Sequence, residues 1–238
     1  MKIAAAQLTC IPADVPGNAA RAAALAGQAR DLGAELVVFP ELVLTGYEPE
    51  AIAADPGLWV DAEDPRLDPV RSAGIASVVN CALRTDGPRP AIASLVFDAR
   101  GRLLTTYLKQ HLYQQEQDVF GAGGSDGRCE LGGLRLSLAI CYDNHFPDLA
   151  ARGAADGCRV QVASSLYGTG DGVRERATVH PAIARDHGLY VVLANHVGPA
   201  GAWTGCGGSA IWSPGGALLA EADDRTPSVV VAEVGSAA

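Results

Sequence analysis

Three short apolar segments of this chain end in side chains suited to covalent catalysis by a thiol. Glu41 follows the first segment, Lys109 ends the second and Cys141 ends the third. A thiol attacks a carbonyl carbon only as the thiolate, so Cys141 needs a group that takes its proton, and the Glu41 carboxylate is suited to that role. The Lys109 ammonium can stabilise the negative charge that forms on the carbonyl oxygen.

Each of the three residues also has an ordinary structural interpretation. A glutamate at a strand end is usually solvated, a lysine usually lies on the surface, and a free cysteine is most often a small buried apolar residue. In open α/β sheets, however, catalytic groups are presented at the ends of strands. The occurrence of all three residues at the ends of apolar segments therefore favours one shared site.

The segments that would position these residues alternate between short branched apolar runs, which predict strands, and longer runs that predict helices. Strands are predicted at 3–8, 35–39, 90–98, 102–109, 134–141, 158–164, 189–195, 208–214, 217–222 and 228–234. Helices are predicted at 18–32, 67–79, 144–157 and 172–187, and a glycine closes each of the last two. The residues 99–101 form a tight connection, so 91–108 is predicted to be a β-hairpin.

This order of elements predicts the α/β class. Strands that are covered by helices on one face only favour a four-layer αββα sandwich, in which two sheets pack face to face with helices outside. The chain has 238 residues, of which 48% are hydrophobic, and a chain of this length can bury a substantial core. No low-complexity linker separates its two similar halves, so residues 1–238 are predicted to form a single domain.

Composition and charge exclude several classes of function. Lys and Arg number 18 against 27 Asp and Glu, which gives a net charge of −9, and no run of basic residues is present. A nucleic-acid partner is therefore not expected. No apolar run reaches the roughly 20 residues that a membrane-spanning helix needs, and a cleavable leader is not expected from the residues at the N-terminus. A cytoplasmic location without membrane contact is expected.

The cysteine, histidine and glycine patterns assign neither a metal site nor a phosphate site. The six cysteines contain no Cys-x-x-Cys pair, which argues against a disulfide framework or a zinc ribbon. The histidines, His196 among them, show no ligand spacing except Cys141-x-x-x-His145, where the cysteine has a better role. The glycine-rich runs 121–127 and 205–208 lack a phosphate-binding pattern and are predicted to be loops.

Three motifs surround the candidate residues. They are FPE at 39–41, YLKQHLY at 107–113 and ICYD at 140–143, and further motifs are AAAQL at 4–8, GLYVVLAN at 188–195 and the segment 208–216. In this order they resemble the signatures of the nitrilase superfamily, the carbon–nitrogen hydrolases. The resemblance spans nearly the whole chain. It implies an αββα sandwich that forms a homodimer of αββα–αββα type.

The resemblance also implies roles for the site residues. Cys141 would be the nucleophile and Glu41 the general base and acid. Lys109 and the backbone N–H of Tyr142 would form the oxyanion hole. Glu116 matches a second glutamate of the superfamily, which would position Lys109 or the substrate nitrogen, and the alternative is a surface glutamate in a polar loop.

Four further residues fall near the ends of elements that would surround this site. Tyr47, Asn144, Tyr167 and Trp203 are predicted to line a substrate pocket, and core packing is the alternative for the aromatic residues. The superfamily often has an arginine where this chain has His145. An imidazole in that place weakens any ion pair behind the nucleophile.

The function that the resemblance implies is hydrolysis of a small aliphatic carboxamide through a thioester, with release of ammonia or an amine. No cofactor is implied, and the small-molecule substrate is the expected partner. Tyr142-Asp143 stands where true nitrilases tend to have Trp-Glu, which favours an amide over a nitrile. N-carbamoyl hydrolysis and nitrile hydrolysis remain alternatives. Acyl transfer to another acceptor and a catalytically silent binding scaffold are the alternatives from other classes.

Overall fold

The computed structural model describes residues 1–235, which form an α/β structure with two six-stranded sheets flanked by helices. The strands are β1 (Lys2–Gln7), β2 (Leu36–Val38), β3 (Ala76–Leu83), β4 (Ala91–Phe97), β5 (Leu103–Leu108), β6 (Gly127–Leu131), β7 (Leu134–Ile140), β8 (Val160–Ser165), β9 (Tyr190–Asn195), β10 (Val197–Ala200), β11 (Trp203–Cys206), β12 (Ala210–Trp212), β13 (Leu218–Glu221) and β14 (Ser228–Glu233). The α-helices are α1 (Val15–Asp31), α2 (Pro49–Ala54), α3 (Asp68–Arg71), α4 (Glu116–Val119), α5 (Pro147–Ala155) and α6 (Asp171–His187). Short 3-10 helices cover Pro56–Leu58, Pro65–Leu67 and Cys141–His145.

The two sheets have similar designs. The first has the order β14-β1-β2-β3-β4-β5 and the second the order β13-β12-β9-β8-β7-β6. In each sheet the three central strands run parallel, β1-β2-β3 and β7-β8-β9, and the outer pairs are antiparallel. The predicted α/β class and its face-to-face sheets are confirmed, and the predicted hairpin over 91–108 is present as β4 and β5.

The core lies between the sheets, because the parallel strands are apolar on both faces and both faces are covered. Val38 on β2 and Val160 and Val162 on β8 are almost fully buried in one continuous cluster. Complete burial of a side chain of this size stabilises the fold by about 1.5–3 kcal/mol. The packing of β2 on β8 and β9 fixes the distance between the strand ends that carry the candidate site.

Helix α1 covers the first sheet through small side chains. The Asp14 carboxylate accepts a hydrogen bond from the Gly17 N–H and so caps its first turn. Ala19, Ala22 and Ala26 on its inner face are fully buried. Alanine has a high helix propensity and adds little bulk, so the helix lies close to the sheet. The predicted helix at 18–32 is thus confirmed, with an earlier start.

One predicted helix is wrong. The chain at 67–79 forms only the four-residue helix α3, a turn in which Gly74 has φ = 74°, and the beginning of β3. The residues from Ala76 pair in parallel with β2 and antiparallel with β4. Branched residues such as Val78 favour this central strand position, so pairing with two neighbours overrides the helical spacing.

The glycine-rich segments predicted to be loops are strands in part. Gly127 begins β6, and a Cβ on it would lie 2.7 Å from Cβ of Tyr107. Gly205 lies in β11, and a Cβ there would lie 2.5 Å from the carbonyl oxygen of His196. In both places glycine permits two backbone segments to approach closely. The remaining residues, 121–126 and 207–208, lie outside the strands, as predicted.

The last strand crosses to the first sheet. β13 belongs to the second sheet, whereas β14 pairs antiparallel with β1, from Lys2 with Glu233 to Gln7 with Ser228. The buried Gln7 side chain reinforces this crossing, since its Nε2 donates to the carbonyl of Asp223 and its Oε1 accepts from the N–H of Ser209. In the part of the chain that the structure describes, no helix is both long and apolar enough to span a membrane.

Candidate active site

The structure brings Glu41, Lys109 and Cys141 together at the ends of three strands. Glu41 lies in the turn after β2, Lys109 directly follows β5, and Cys141 directly follows β7. Lys109 Nζ lies 2.6 Å from Glu41 Oε1 and 2.7 Å from Oε2 of Glu116. Cys141 lines the same cavity as both glutamates. The four side chains predicted to act together therefore share one location.

Lys109 is a fully buried cation between two carboxylates. Burial alone lowers the pKa of its ammonium group, but the charges of Glu41 and Glu116 outweigh burial and hold that pKa above its ordinary value. Its ammonium donates to Glu41 Oε1 and to both oxygens of Glu116. Loss of one partner from a buried cluster of this kind costs about 3–5 kcal/mol, because it leaves an uncompensated charge.

Glu41 has the properties of a proton acceptor. Burial, together with the nearby negative charge of Glu116, raises its pKa to about 7 although Lys109 opposes that shift. Its Oε1 accepts from Lys109, whereas its buried Oε2 has no hydrogen-bond partner among the described residues. A general base works best when its pKa lies near the working pH.

The backbone around Glu41 is fixed from both sheets. The next residue, Leu42, has φ = 49°, and its N–H donates to Asn80 Oδ1 on β3 at 2.6 Å. The carbonyl of Glu41 accepts from Nε2 of His196, which follows β9, at 2.5 Å. Burial lowers the pKa of His196 to about 4, so its imidazole is neutral and its Nε2 carries the donated hydrogen.

Cys141 has a left-handed backbone conformation, with φ = 45°. Such a conformation costs about 1–3 kcal/mol in a residue other than glycine, and it persists only where neighbours hold it. Burial and the Glu41 carboxylate raise the pKa of the Cys141 thiol well above its ordinary value, while Lys109 opposes them. The resting thiol therefore keeps its proton until a base takes it.

The carboxylate of Asp143 holds the turn that follows Cys141. It accepts hydrogen bonds from the Ile140 N–H at 3.0 Å, the His111 N–H at 2.9 Å and the Tyr107 hydroxyl at 2.7 Å. Asp143 is fully buried. These bonds tie the nucleophile turn to the segment that carries Lys109, so the two groups keep a fixed separation.

Glu116 is oriented by its own set of donors. Its Oε1 accepts from the Tyr47 hydroxyl at 2.6 Å, and its Oε2 accepts from the Tyr113 N–H at 2.7 Å. Burial and the two nearby glutamates raise the pKa of Tyr47 above its ordinary value, so the hydroxyl remains a donor. Glu116 therefore contacts Lys109, which is the first of the two positions predicted for it. It does not lie on the surface.

The candidate site opens into a cavity of about 390 Å³, a volume in the range of small-molecule sites. Its lining residues are Glu41, Tyr47, Tyr113, Glu116, Cys141, Tyr142, His145, Leu166, Tyr167, Gly168, Thr169, Asp171, Gly172, Glu175 and Trp203. Of the residues predicted to line a pocket, Tyr47, Tyr167 and Trp203 are among them.

Asn144 is placed differently from its prediction. Its Nδ2 donates to the carbonyl of Cys141 at 2.9 Å, and its Oδ1 accepts from Nε2 of Gln161 at 2.9 Å. Because Asn144 lies three residues beyond Cys141 in a 3-10 helix, its amide reaches back to the first carbonyl of that helix. It does not line the cavity and supports the nucleophile turn instead.

Sequence reasoning missed several residues of the site. Tyr113, Asp171 and Glu175 line the cavity, and the last two belong to the first turns of α6. Tyr113 could have been found from its place in the motif around Lys109. No sequence motif near Asp171 or Glu175 indicates a place in the site, because only the packing of α6 against the nucleophile turn brings them to the cavity.

The residue before His196 supports the opposite wall. Asn195 Oδ1 accepts from the Tyr167 N–H at 2.7 Å, and its Nδ2 donates to the carbonyl of Gly207 at 2.8 Å. The end of β9 therefore positions both the Glu41 turn and the Tyr167 segment. Within residues 1–235, no group of three or more His, Cys, Asp or Glu side chains is placed to hold a metal ion.

Comparison with known proteins gives a consistent result. The family model described as carbon-nitrogen hydrolase matches residues 2–238. A protein of Pseudomonas protegens named "Hydrolase in pqqF 5'region" is 31% identical over 229 residues, which cover 92% of this chain and 78% of the relative. The omega-amidase NIT2 of Danio rerio is 27% identical over 231 residues, covering 91% of this chain and 82% of the relative.

Solved structures agree with these relatives. The amidase from Nesterenkonia sp. AN1, in a form with acrylamide added to its active-site cysteine, has a TM-score of 0.90 and 31% identity, covering 99% of this chain and 93% of that chain. A variant of the same amidase in complex with butyramide has a TM-score of 0.90 and 30% identity, covering 98% of this chain and 90% of that chain. With its fold, its motifs and its whole length in agreement, the chain belongs to the carbon-nitrogen hydrolase family, within the nitrilase superfamily.

Proposed function

We propose that this protein is a cysteine-dependent amidase that hydrolyses a small carboxamide through a thioester and releases ammonia or an amine. The observation that carries the proposal is the buried cluster of Glu41, Lys109 and Glu116 beside Cys141 on the wall of one cavity. The cluster supplies a base, a cation and a nucleophile without a cofactor. The butyramide complex of the similar Nesterenkonia amidase supports an aliphatic amide as substrate.

In the first step Cys141 Sγ forms a bond to the amide carbon while its proton passes to Glu41 Oε2. The negative charge moves to the carbonyl oxygen, where the Lys109 ammonium and the Tyr142 N–H stabilise it. Lys109 can turn toward this oxygen by giving up its longer hydrogen bond to Glu116 Oε1, at 2.9 Å. That oxygen keeps the hydrogen bond from the Tyr47 hydroxyl.

In the second step the carbon–nitrogen bond breaks. Glu41 returns its proton to the leaving nitrogen, so ammonia or an amine departs and a thioester to Cys141 remains. In the third step a water molecule attacks the thioester carbon and gives a proton to Glu41. The carbon–sulfur bond breaks, the acid product leaves, and Cys141 recovers its proton from Glu41.

The test is ammonia release from a panel of short aliphatic amides, nitriles and N-carbamoyl amino acids. Cys141→Ala is expected to reduce amide turnover by at least about 10⁴-fold. The matched control is Cys129→Ala, which removes another free and partly buried cysteine on β6. Mass spectrometry of the protein quenched during turnover is expected to show the acyl group on Cys141, and Glu41→Gln is expected to show none, because Glu41 takes the thiol proton in the first step.

The panel also separates the alternatives. Carbon dioxide released together with ammonia indicates an N-carbamoyl substrate, and a hydroxamate formed in the presence of hydroxylamine indicates acyl transfer. Amide turnover by Cys141→Ala within twofold of the unmodified protein would contradict the mechanism. A folded protein whose Cys141 does not react with a thiol alkylator would support the binding-scaffold alternative.

We also propose that the protein acts in the cytoplasm. All six cysteines are free, and Cys10, Cys81 and Cys206 are buried away from any partner cysteine. Free thiols suit a reducing compartment, since disulfides form and persist mainly in oxidising ones. The homodimer implied by the resemblance is likewise a proposal.

A further inference from the structure

The cavity wall concentrates aromatic rings. The chain has six tyrosines and three tryptophans, and four of those tyrosines together with Trp203 line this cavity. The faces of aromatic rings carry partial negative charge and attract cations, most strongly where water is excluded. Such a wall attracts an alkylammonium group and also packs against an alkyl chain.

The charges at the cavity mouth are acidic. Asp171 and Glu175 line the mouth, and no Lys or Arg is among the lining residues that the structure describes. Asp171 is paired with Arg174 at 2.9 Å, and both side chains are exposed. Oε1 of Glu175 lies 3.3 Å from Nε2 of His145, and the Glu175 side chain is half-exposed. Glu175 is therefore the carboxylate at the mouth without a permanent cation beside it.

Tyr167 belongs to the same aromatic wall, and it lines this cavity together with Glu175. The residue is 3% exposed, and its hydroxyl oxygen is shielded from solvent. Tyr167 therefore contributes aromatic surface to the wall rather than a hydrogen-bond acceptor.

We infer that the preferred amide carries an alkylammonium group at the far end of its acyl chain, and that Glu175 and the aromatic rings of the cavity wall form the subsite that recognises it. This inference rests on the proposed amidase function and names its substrate class. An amide with a remote carboxylate is disfavoured, because Asp171 and Glu175 are among the described lining residues and neither Lys nor Arg is.

The test compares three amides of nearly equal length: 4-aminobutanamide, pentanamide and glutaramate, which carry a positive, a neutral and a negative end. At one pH and low ionic strength, kcat/KM is expected to be about tenfold higher for the ammonium amide than for pentanamide. The kcat/KM for glutaramate is expected to be the lowest of the three. Added salt should narrow the difference, since Glu175 is partly exposed and its charge is screened.

Glu175→Gln removes the charge and keeps the size of the side chain. The ratio of kcat/KM for the ammonium amide to that for pentanamide is expected to fall toward one in this variant. Glu130→Gln is the matched control, because Glu130 is an exposed glutamate on β6 outside the cavity lining. The ratio in that control should equal the ratio in the unmodified protein.

Equal kcat/KM for the three amides, or an unchanged ratio in Glu175→Gln, would overturn the inference. If pentanamide is hydrolysed in a Cys141-dependent reaction without a preference for the cation, the inference fails and the amidase function stands. If none of the amides is hydrolysed, the function fails, and calorimetric binding of the same three amides to Cys141→Ala still decides the subsite. Equal dissociation constants for the three amides in that measurement would contradict the proposed subsite.

Discussion

At the scale of single residues, Glu41 and Cys141 compete for one proton inside a buried site. Burial disfavours both the carboxylate and the thiolate, and each negative charge disfavours the other. The Lys109 ammonium lowers the free-energy cost of one negative charge on either Glu41 or Cys141. The resting pair is therefore a thiol and a carboxylate, and attack on the substrate moves the proton between them without a change of net charge.

The negative charge of Glu116 raises the pKa of Glu41. The proposed reaction needs Glu41 as a carboxylate, and the Glu41 pKa is about 7. We therefore expect kcat/KM to fall about tenfold per pH unit below that value. Glu116→Gln removes a negative charge that raises the Glu41 pKa, so the acid limb of the pH profile should move to lower pH.

The measurement is kcat/KM for one neutral amide across the acid range. Glu130→Gln, which changes an exposed residue outside the cavity lining, should keep the unmodified profile. A profile of Glu116→Gln with the same acid limb would mean that Glu116 does not act on the charge of Glu41.

His196 is a positioning residue for Glu41. His196→Phe fills similar space but leaves the Glu41 carbonyl without its donor, which costs about 1–3 kcal/mol of stability and frees the turn. We expect His196→Phe to lower kcat/KM and to change the acid limb of the pH profile. His196→Gln, which has an N–H donor, should recover part of the lost kcat/KM. A loss of stability with an unchanged pH profile would show that His196 supports the fold alone.

The sequence predicted the residues whose chemistry is local to a motif. Glu41, Lys109, Glu116 and Cys141 lie together as their motifs suggest. Glu175 was not found, because nothing near it in the chain indicates that α6 carries it to the cavity. Asn144 was predicted to line the cavity, whereas the 3-10 helix turns its amide toward the carbonyl of Cys141.

At the scale of elements, the 3-10 helix Cys141–His145 depends on one carboxylate. Asp143→Asn replaces an acceptor for several N–H and O–H donors by an amide whose NH₂ opposes one of them. We expect a loss of about 1–3 kcal/mol, which lowers Tm by roughly 3–10 °C for a protein of this size. Alkylation of Cys141 should also slow.

Thermal unfolding and the rate of alkylation measure the two effects. Asp86→Asn is the matched control, because Asp86 is exposed in the connection between β3 and β4. An Asp143→Asn variant with unchanged Tm and alkylation rate would contradict the role given to this carboxylate.

Elements that follow local rules agree with their sequence predictions, and elements that depend on distant partners do not. The hairpin of β4 and β5 is specified by its own short connection. Helix α6 ends at Gly188, whose φ of 66° suits glycine after a helix. The segment that begins β3 has apolar residues at helical spacing, yet it pairs with β2 and β4 in the first sheet. No local sequence pattern indicates these two pairing partners.

At the scale of the whole molecule, the resemblance to the superfamily predicts a homodimer. A single chain leaves Leu218 and Leu219 on the edge strand β13 about half exposed, at 50% and 45%. Exposed apolar residues at a sheet edge favour association. Sedimentation velocity over a dilution series is expected to show a species of twice the chain mass, and a species of single mass at all concentrations would contradict the dimer.

The pairing of β14 with β1 has a consequence for synthesis of the protein on the ribosome. Lys2–Gln7 is translated first, whereas its partner Ser228–Glu233 is translated near the end. At ~5–20 residues per second, the first strand waits roughly 10–45 s for that partner. Until then one edge of the first sheet has unpaired N–H and C=O groups, which can pair with another nascent chain. Chains released before residue 228 keep that open edge, so premature termination yields products prone to aggregation.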